Sequence, residues 1–192
     1  MQIVRFVLSS RHAYEGRPSD GPRPAETWSP ESIELRAGHG VVGDRYAGHR
    51  AHRDAALTII AAEALEAVAA ELGVPPFDPA LARRTVVTRG LDVERLRGTD
   101  VLLDSGDGPV LLGGRRPAAP CGWMDEVLAR GAHPLLRGRA GVRFAVLGSG
   151  TLRVGPLTVT YPERDTLFAD DELLASRLDP ARAAVGTRRG QA

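Results

Sequence analysis

The chain contains a single cysteine, Cys121, in the stretch "RRPAAPCGWMDE" (115–126), and the residues around it are of types that could give its sulfur work to do. The thiolate, not the thiol, is the nucleophile and the metal ligand. Pro120 disfavours helical geometry at Ala119, so the chain should arrive extended and turn into a helix at or just after Cys121. Unpaired N–H groups at a helix start favour the thiolate, and Arg115 or Arg116 nearby would add to the effect. The competing expectation is a buried cysteine that packs as a small hydrophobe. One cysteine can form no internal disulfide, no Cys-rich zinc site and no iron–sulfur cluster, so any role must come from its own chemistry. The second group able to do chemistry is arginine: all 25 basic residues are Arg, with no lysine and no asparagine anywhere. A GC-rich genome produces that bias through codon usage, yet every fixed cation is still a planar fork suited to phosphate or carboxylate. Three of the five histidines fall in "GHGVVGDRYAGHRAHRDA" (38–55).

The elements that must position these groups can be read from periodicity and breakers. "QIVRFVLS" (2–9) is a partly alternating strand. The stretch 10–31 carries four prolines and reads as a long loop, which in a compact domain is commonly functional or disordered. "SIELRAG" restores a short strand, and 38–55 is a second irregular segment. "ALTII" is a strand leading into "AAEALEAVAAELG", where Ala61, Leu65, Val68 and Leu72 recur at helical spacing until Gly73, Pro75 and Pro76 stop the helix. Short strands then follow at close intervals: "TVVT", "DVLLDS", "PVLLGG", "VRFAVLG", "TLRVG" and "LTVTY". Gly-rich turns separate them, which argues for a barrel or a sandwich. Helix is expected at "CGWMDEVLAR", a turn at "HPLLRG", and a short helix at "DDELLASRL" before a polar tail.

Composition bounds the rest. At 192 residues with 43% hydrophobic and 26% charged, the chain suits one globular domain with a real core. No apolar run is long enough for a membrane span, and the N-terminus lacks a signal-peptide pattern, so a soluble cytoplasmic protein is expected. A net charge of +1 gives no field to recruit nucleic acid or an anionic membrane.

Four patterns in order, "GHGVVGDRY", "RRTVVTRGLDVERLRG", "PC" ahead of a helix and "LRGRAGVRFAVLGSGTLRVG", resemble the MOSC domain, named for the C-terminal domain of molybdenum cofactor sulfurase. The resemblance covers roughly residues 2–160 and points to the small stand-alone bacterial MOSC proteins. It implies a mainly β fold with flanking helices, a closed MOSC-type barrel over residues 1–165, with 166–192 as a C-terminal helix and tail. It implies that Cys121 carries sulfur or ligates molybdenum, for which soft thiolate is suited. Arg83 takes the place of the family's arginine ahead of the "V-x-x-G" strand, beside a pterin phosphate. Thr85 stands where relatives carry asparagine; its hydroxyl can bond a ligand once, without the amide's paired donor and acceptor. Asp44 and Arg45 match the "GD-R" turn, as cofactor contacts or as a local ion pair. Tyr46 follows where many members have histidine, so His49 and His52 are candidates for acid–base work. Gly138 and Gly141 serve backbone geometry, and Arg116 and Arg139 are further candidate anion contacts.

Two functions follow as expectations. The first is a molybdenum–molybdopterin protein that reduces N-hydroxylated compounds, or carries sulfur as a Cys121 persulfide, with electrons or sulfur supplied by another protein. The second is a non-catalytic barrel holding a phosphorylated or anionic small molecule through its arginines. The family also carries an association with pyridoxal phosphate binding. Cys121 is expected at the rim of the largest pocket with Arg83 on the same side, edged by 38–53 with Arg45 and His49 or His52 near the sulfur.

Overall fold

Ile59 faces inward and Ile60 outward, and Val86 inward and Val87 outward, so adjacent residues of two neighbouring strands enter two different apolar clusters. That alternation is the two-residue period of a strand buried on both faces. A computed structural model describes residues 1–162, of which Met1–Thr160 make one compact unit. The helix expected at "DDELLASRL" lies outside the described residues.

In chain order the elements are β1 (Gln2–Phe6), β2 (Ser32–Arg36), β3 (Gly40–Val41), β4 (Leu57–Ala61), α1 (Ala62–Leu72), β5 (Val86–Arg89), β6 (Asp100–Asp104), β7 (Val110–Pro117), α2 (Trp123–Val127), α3 (Ala132–Leu135), β8 (Val142–Val146), β9 (Gly150–Arg153), β10 (Gly155–Pro156) and β11 (Thr158–Thr160). Eight strands form one sheet in the order β10-β1-β5-β4-β8-β7-β6-β11, and a three-stranded sheet β3-β2-β9 stands beside it. The two ends of the large sheet are consecutive in sequence: β10 pairs with β1, β11 pairs with β6, and only Leu157 lies between them. Its N–H donates to the Met1 carbonyl at 3.0 Å. One residue of chain therefore brings the first and last strands together, and the sheet is a mainly β, nearly closed barrel with few helices. Closure removes exposed edges, and of the two architectures open on strand spacing it selects the barrel.

The interior is filled by Ile3, Phe6, Leu57, Ile59, Leu103, Leu112 and Phe144 among others. Ile3 and Phe6 both point inward because a bulge between Ile3 and Arg5 shifts the register of β1, which is why its alternation is only partial. Outside, α1 connects the parallel pair β4 and β5 and lays Leu65 and Val68 against Ile60 and Val87. Gly73 ends α1 at φ 67°, its N–H reaching the Ala69 and Ala70 carbonyls, the expected glycine stop.

The helix expected across "CGWMDEVLAR" is shorter than its apolar stripe suggested. It spans five residues, beginning after Cys121 and Gly122, with Trp123 and Met124 in the outer cluster. From within α2, the Asp125 carboxylate accepts the N–H groups of Gly131 (3.1 Å) and His133 (2.7 Å), so its side chain caps the start of α3. Residues 10–31 hold no strand or α-helix, only a 3-10 turn at Pro18–Asp20, and the segment is pinned at its base by an antiparallel bridge between Leu8 and Trp28.

Candidate functional site

Four separated stretches meet at one cleft: His12, Ala13 and Tyr14 from the proline-rich loop, Arg45 and Tyr46 from the Gly43 turn, Ala82 to Arg84 ahead of β5, and Ala119, Cys121 and Met124 around the start of α2. The cavity they enclose is about 120 Å³. Two larger hollows are present among the described residues, of about 580 and 510 Å³, so Cys121 borders a small cleft and not the largest pocket. The larger of the two adjoins the cleft through His12.

Each side chain is placed by local structure. Asp78 starts a 3-10 turn at Pro79–Ala82 by accepting the Ala80 N–H, and the chain leaves that turn with Arg83 at φ 51°. Arg83 is the one non-glycine residue at positive φ among the described residues, a conformation that costs about 1 kcal/mol for a side chain with Cβ. Its guanidinium donates to the Arg11 carbonyl at 2.7 Å and the Thr27 hydroxyl at 3.2 Å, and lies 5.4 Å from the centre of the Tyr14 ring. Arg84 turns the other way. Its Nε donates to the Ala140 carbonyl (2.9 Å), Nη1 to Ala82 (3.3 Å) and Nη2 to Ala118 (2.7 Å). Those three acceptors are neutral, so a cation is held inside the protein without a carboxylate partner. Burial pushes the Arg84 guanidinium down to about 10, with the Arg143 charge acting in the same direction and Cys121 opposing it; it remains protonated at neutral pH. Burial and the neighbouring Arg45 charge lower Arg83 as well.

Arg45 is aimed by the Gly43 turn. Asp44 is buried, accepts the Tyr46 N–H at 3.1 Å and pairs with Arg45 at 3.4 Å, while the Arg45 guanidinium stacks 4.7 Å from the Tyr46 ring centre. Among the described residues no carboxylate lines the cleft itself. Three guanidinium groups beside an exposed sulfur thus make a cationic pocket suited to an oxyanion or a phosphate.

The profile of the MOSC domain matches residues 43–156, more than half of the chain. The chain belongs to the MOSC domain family. Solved structures agree on the fold: the YuaD protein of Bacillus subtilis is 19% identical with a TM-score of 0.59, the match covering 84% of this chain and 100% of that one. YiiM of Escherichia coli is 18% identical with a TM-score of 0.57, over 85% of this chain and 71% of that one. YiiM of Geobacillus stearothermophilus is 16% identical with a TM-score of 0.57, over 85% and 75%. A search of curated proteins returned no match.

In this MOSC domain the residues singled out from sequence separate into two groups. Cys121, Arg83 and Arg45 line the cleft, with Asp44 behind Arg45. Thr85 does not line it: its hydroxyl lies 3.1 Å from that of Thr58, and its N–H donates to the Thr58 hydroxyl at 2.9 Å, which ties β5 to β4. Arg116 borders the separate 510 Å³ hollow with Arg115 and Asp54. Arg139 is held by Glu71 at 2.7 and 2.9 Å. His49 and His52 also stand outside the cleft, stacked behind Tyr46, with His52 at 4.4 Å from the Tyr46 ring and His49 at 4.8 Å from His52. The histidine at the cleft is His12, 5.1 Å from Tyr46 in an edge-on contact. Only chain folding brings His12 and Tyr14 to the cysteine, and no local pattern in the loop marks them. Arg84 had one available signal, its adjacency to Arg83.

Both His12 and His52 are held below the ordinary 6.5, first by burial, then by Arg45 for His12 and by His49 for His52. They are therefore neutral at pH 7. Because the folded value lies below the unfolded one, the unfolded chain binds the proton first as pH falls. The stability these residues allow is complete above about 6.5 and declines as pH drops below it. NMR titration of the imidazole protons should place both midpoints below 6.5, and Arg45→Met should move His12 upward while leaving His52 where it is. A His12 midpoint unmoved by that change would show that Arg45 does not act on it.

Proposed function

We propose that this protein binds a molybdenum–pterin cofactor at the Cys121 cleft and uses it to reduce N-hydroxylated compounds, or carries sulfur on Cys121 itself. The observation that supports the reading is one cleft shared by an exposed thiol and three arginines with no lining carboxylate. The donor set fits: thiolate is a soft ligand for molybdenum, and guanidinium forks suit a phosphate. Among the described residues no three His, Cys, Asp or Glu side chains converge as a metal site, so Cys121 is the protein's soft donor there. The cavity of about 120 Å³ would hold only the metal or phosphate end. The remainder would extend along the adjoining hollow between Arg11, Glu15 and Arg23.

When bound, the molybdenum centre supplies acceptance of an oxygen atom from an N–O group with a two-electron change. The chain's own residues do the rest. Arg84, fixed by three carbonyls, holds positive charge at the cleft without moving. Arg45 adds a second fixed cation, and neutral His12 can take up a proton at its imidazole and then return it. Reducing equivalents would come from a partner protein, because one cysteine holds no cluster.

The cavity size favours a second reading, a non-catalytic barrel that holds a phosphorylated small molecule by its phosphate, since about 120 Å³ is well below the roughly 300 Å³ of common ligand sites. Pyridoxal phosphate could be held through that phosphate but not as a lysine Schiff base, because the chain has no lysine.

Metal analysis of protein purified from a host that makes the cofactor separates the two. Molybdenum should be present in the wild type and fall at least about ten-fold in Cys121→Ser, with the unfolding free energy changed by less than about 0.5 kcal/mol for an exposed, isosteric change. Equal molybdenum in both proteins removes the ligand role, and none in either, with phosphate affinity retained, supports the second reading.

A further inference from the structure

Residues 10–27 form a wall of the Cys121 cleft, and Arg83, one of the three arginines that line it, is already engaged with that wall. From its position against Arg11, Thr27 and Tyr14 we infer that 10–27 is a flap latched shut by Arg83, and that an anionic group entering the cleft releases it by taking the guanidinium. The inference rests on the reading of the cleft as an anion site.

The flap is built to move as a piece. Its base is fixed by the Leu8–Trp28 bridge, with both N–H···O distances 3.0 Å, and by the Ser9 hydroxyl donating to the Glu26 carbonyl at 2.7 Å. Inside it, the Arg23 N–H donates to the Ala13 carbonyl at 2.8 Å, and the Arg23 side chain pairs with Glu15 at 2.6 Å. Contacts from the flap to the body are few. Tyr14 stacks on Trp123 at 5.4 Å and donates its hydroxyl to the Leu81 carbonyl at 2.5 Å. Pro18 sits beside Gly122, and Arg83 supplies the two charged hydrogen bonds.

The latch is biased toward exchange. Arg83 is 9% exposed, crowded by Arg45, and its two hydrogen-bond acceptors are a neutral carbonyl and a neutral hydroxyl. A phosphate offers the same N–H groups a charged, bidentate acceptor and relieves the repulsion with Arg45, so it competes favourably for the fork. Loss of those bonds leaves the flap held by the edge-on His12–Tyr46 contact, Tyr14 and Pro18, with no charged hydrogen bond to keep it shut, so the cleft opens beyond the size of a lone oxyanion.

Cleavage after Glu15 by a glutamyl endopeptidase, together with Trp123 fluorescence in a Trp28→Phe background, reports the flap in the full chain. Thr27→Val and Tyr14→Phe each remove one hydrogen bond without touching the barrel, and Arg83→Asn keeps a residue tolerant of φ 51° while removing the fork. Cleavage should quicken about ten-fold in Arg83→Asn and several-fold in the milder variants. Inorganic phosphate should quicken it in the wild type and have no further effect in Arg83→Asn. Calorimetry of phosphate binding separates the two ideas. Phosphate that binds while cleavage and fluorescence stay unchanged overturns the latch and leaves the anion site standing. Absence of phosphate binding overturns both, and variants cleaved at the wild-type rate overturn the latch alone.

Discussion

Replacing Gly141 by alanine should destabilise the protein severely, whereas the same change at Gly138, three residues earlier, should cost little. Gly141 sits at φ 92°, and a Cβ there would lie 2.1 Å from the Ile59 carbonyl oxygen and 3.0 Å from its carbon. Those are backbone atoms of β4 in the middle of the barrel, so no side-chain rotation can make room. The glycine's own backbone is committed as well, its N–H donating to Glu94 at 2.8 Å and its carbonyl accepting from Ala118 at 2.7 Å. Left-handed strain of about 1 kcal/mol adds to a backbone overlap that only a shifted strand relieves, for a total of about 4 kcal/mol or more. That is a large share of the stability of an ordinary domain, about 5–15 kcal/mol, and leaves one at the low end of the range marginal. Gly138 has φ 81° but nothing within 4 Å, so alanine there should cost only the strain, about 1 kcal/mol. Urea midpoints of the two variants check this, and equal midpoints would refute the backbone overlap. Since Gly141 also tethers Ala118, any folded fraction of Gly141→Ala should have lost the defined position of Cys121.

The second large effect is expected at Arg84. Arg84→Met keeps much of the volume and removes the donors to Ala82, Ala118 and Ala140. Three carbonyls left without partners inside the protein cost about 1–3 kcal/mol each, offset by no longer burying a cation, for a net loss of about 3 kcal/mol. Arg139→Met removes a bidentate pair with Glu71 that stands at the surface, together with the bond from Nε to the Leu135 carbonyl at 2.6 Å, and should cost much less than Arg84→Met. The Ala118 carbonyl lies three residues before Cys121, so Arg84→Met should also change the rate at which iodoacetamide alkylates the cysteine, and Arg139→Met should not. Equal losses in the two variants would mean that the three carbonyl bonds contribute nothing beyond a surface pair.

Local signals identified the elements well where one physical cause acts alone. The period of "AAEALEAVAAELG" and its glycine stop give α1, and the β-branched runs between Gly-rich turns give the strands. Helix α2 is shorter than its apolar stripe implies, and Asp125 in its first turn uses its carboxylate on the start of α3, a contact across a bend that local spacing does not reveal. The same split runs through the site. Residue type alone made Cys121 and the arginines candidates, since soft sulfur and guanidinium forks have few other chemical uses. Which arginine does which job could not be read that way. Arg83 and Arg84 are adjacent and identical, yet positive φ at Arg83 sends one side chain to the loop and leaves the other among backbone carbonyls. Gly138 and Gly141 are likewise alike in sequence and differ only in what lies across from them. His12 and Tyr14 reach the cleft because the Leu8–Trp28 bridge folds 10–27 back over it, a pairing between residues twenty apart. The sequence by itself determined the barrel's strands, the family patterns and the chemistry available. Closure through Leu157, the partners of each arginine and the choice of His12 over His49 and His52 were decided by contacts between distant segments, which no local period or propensity encodes.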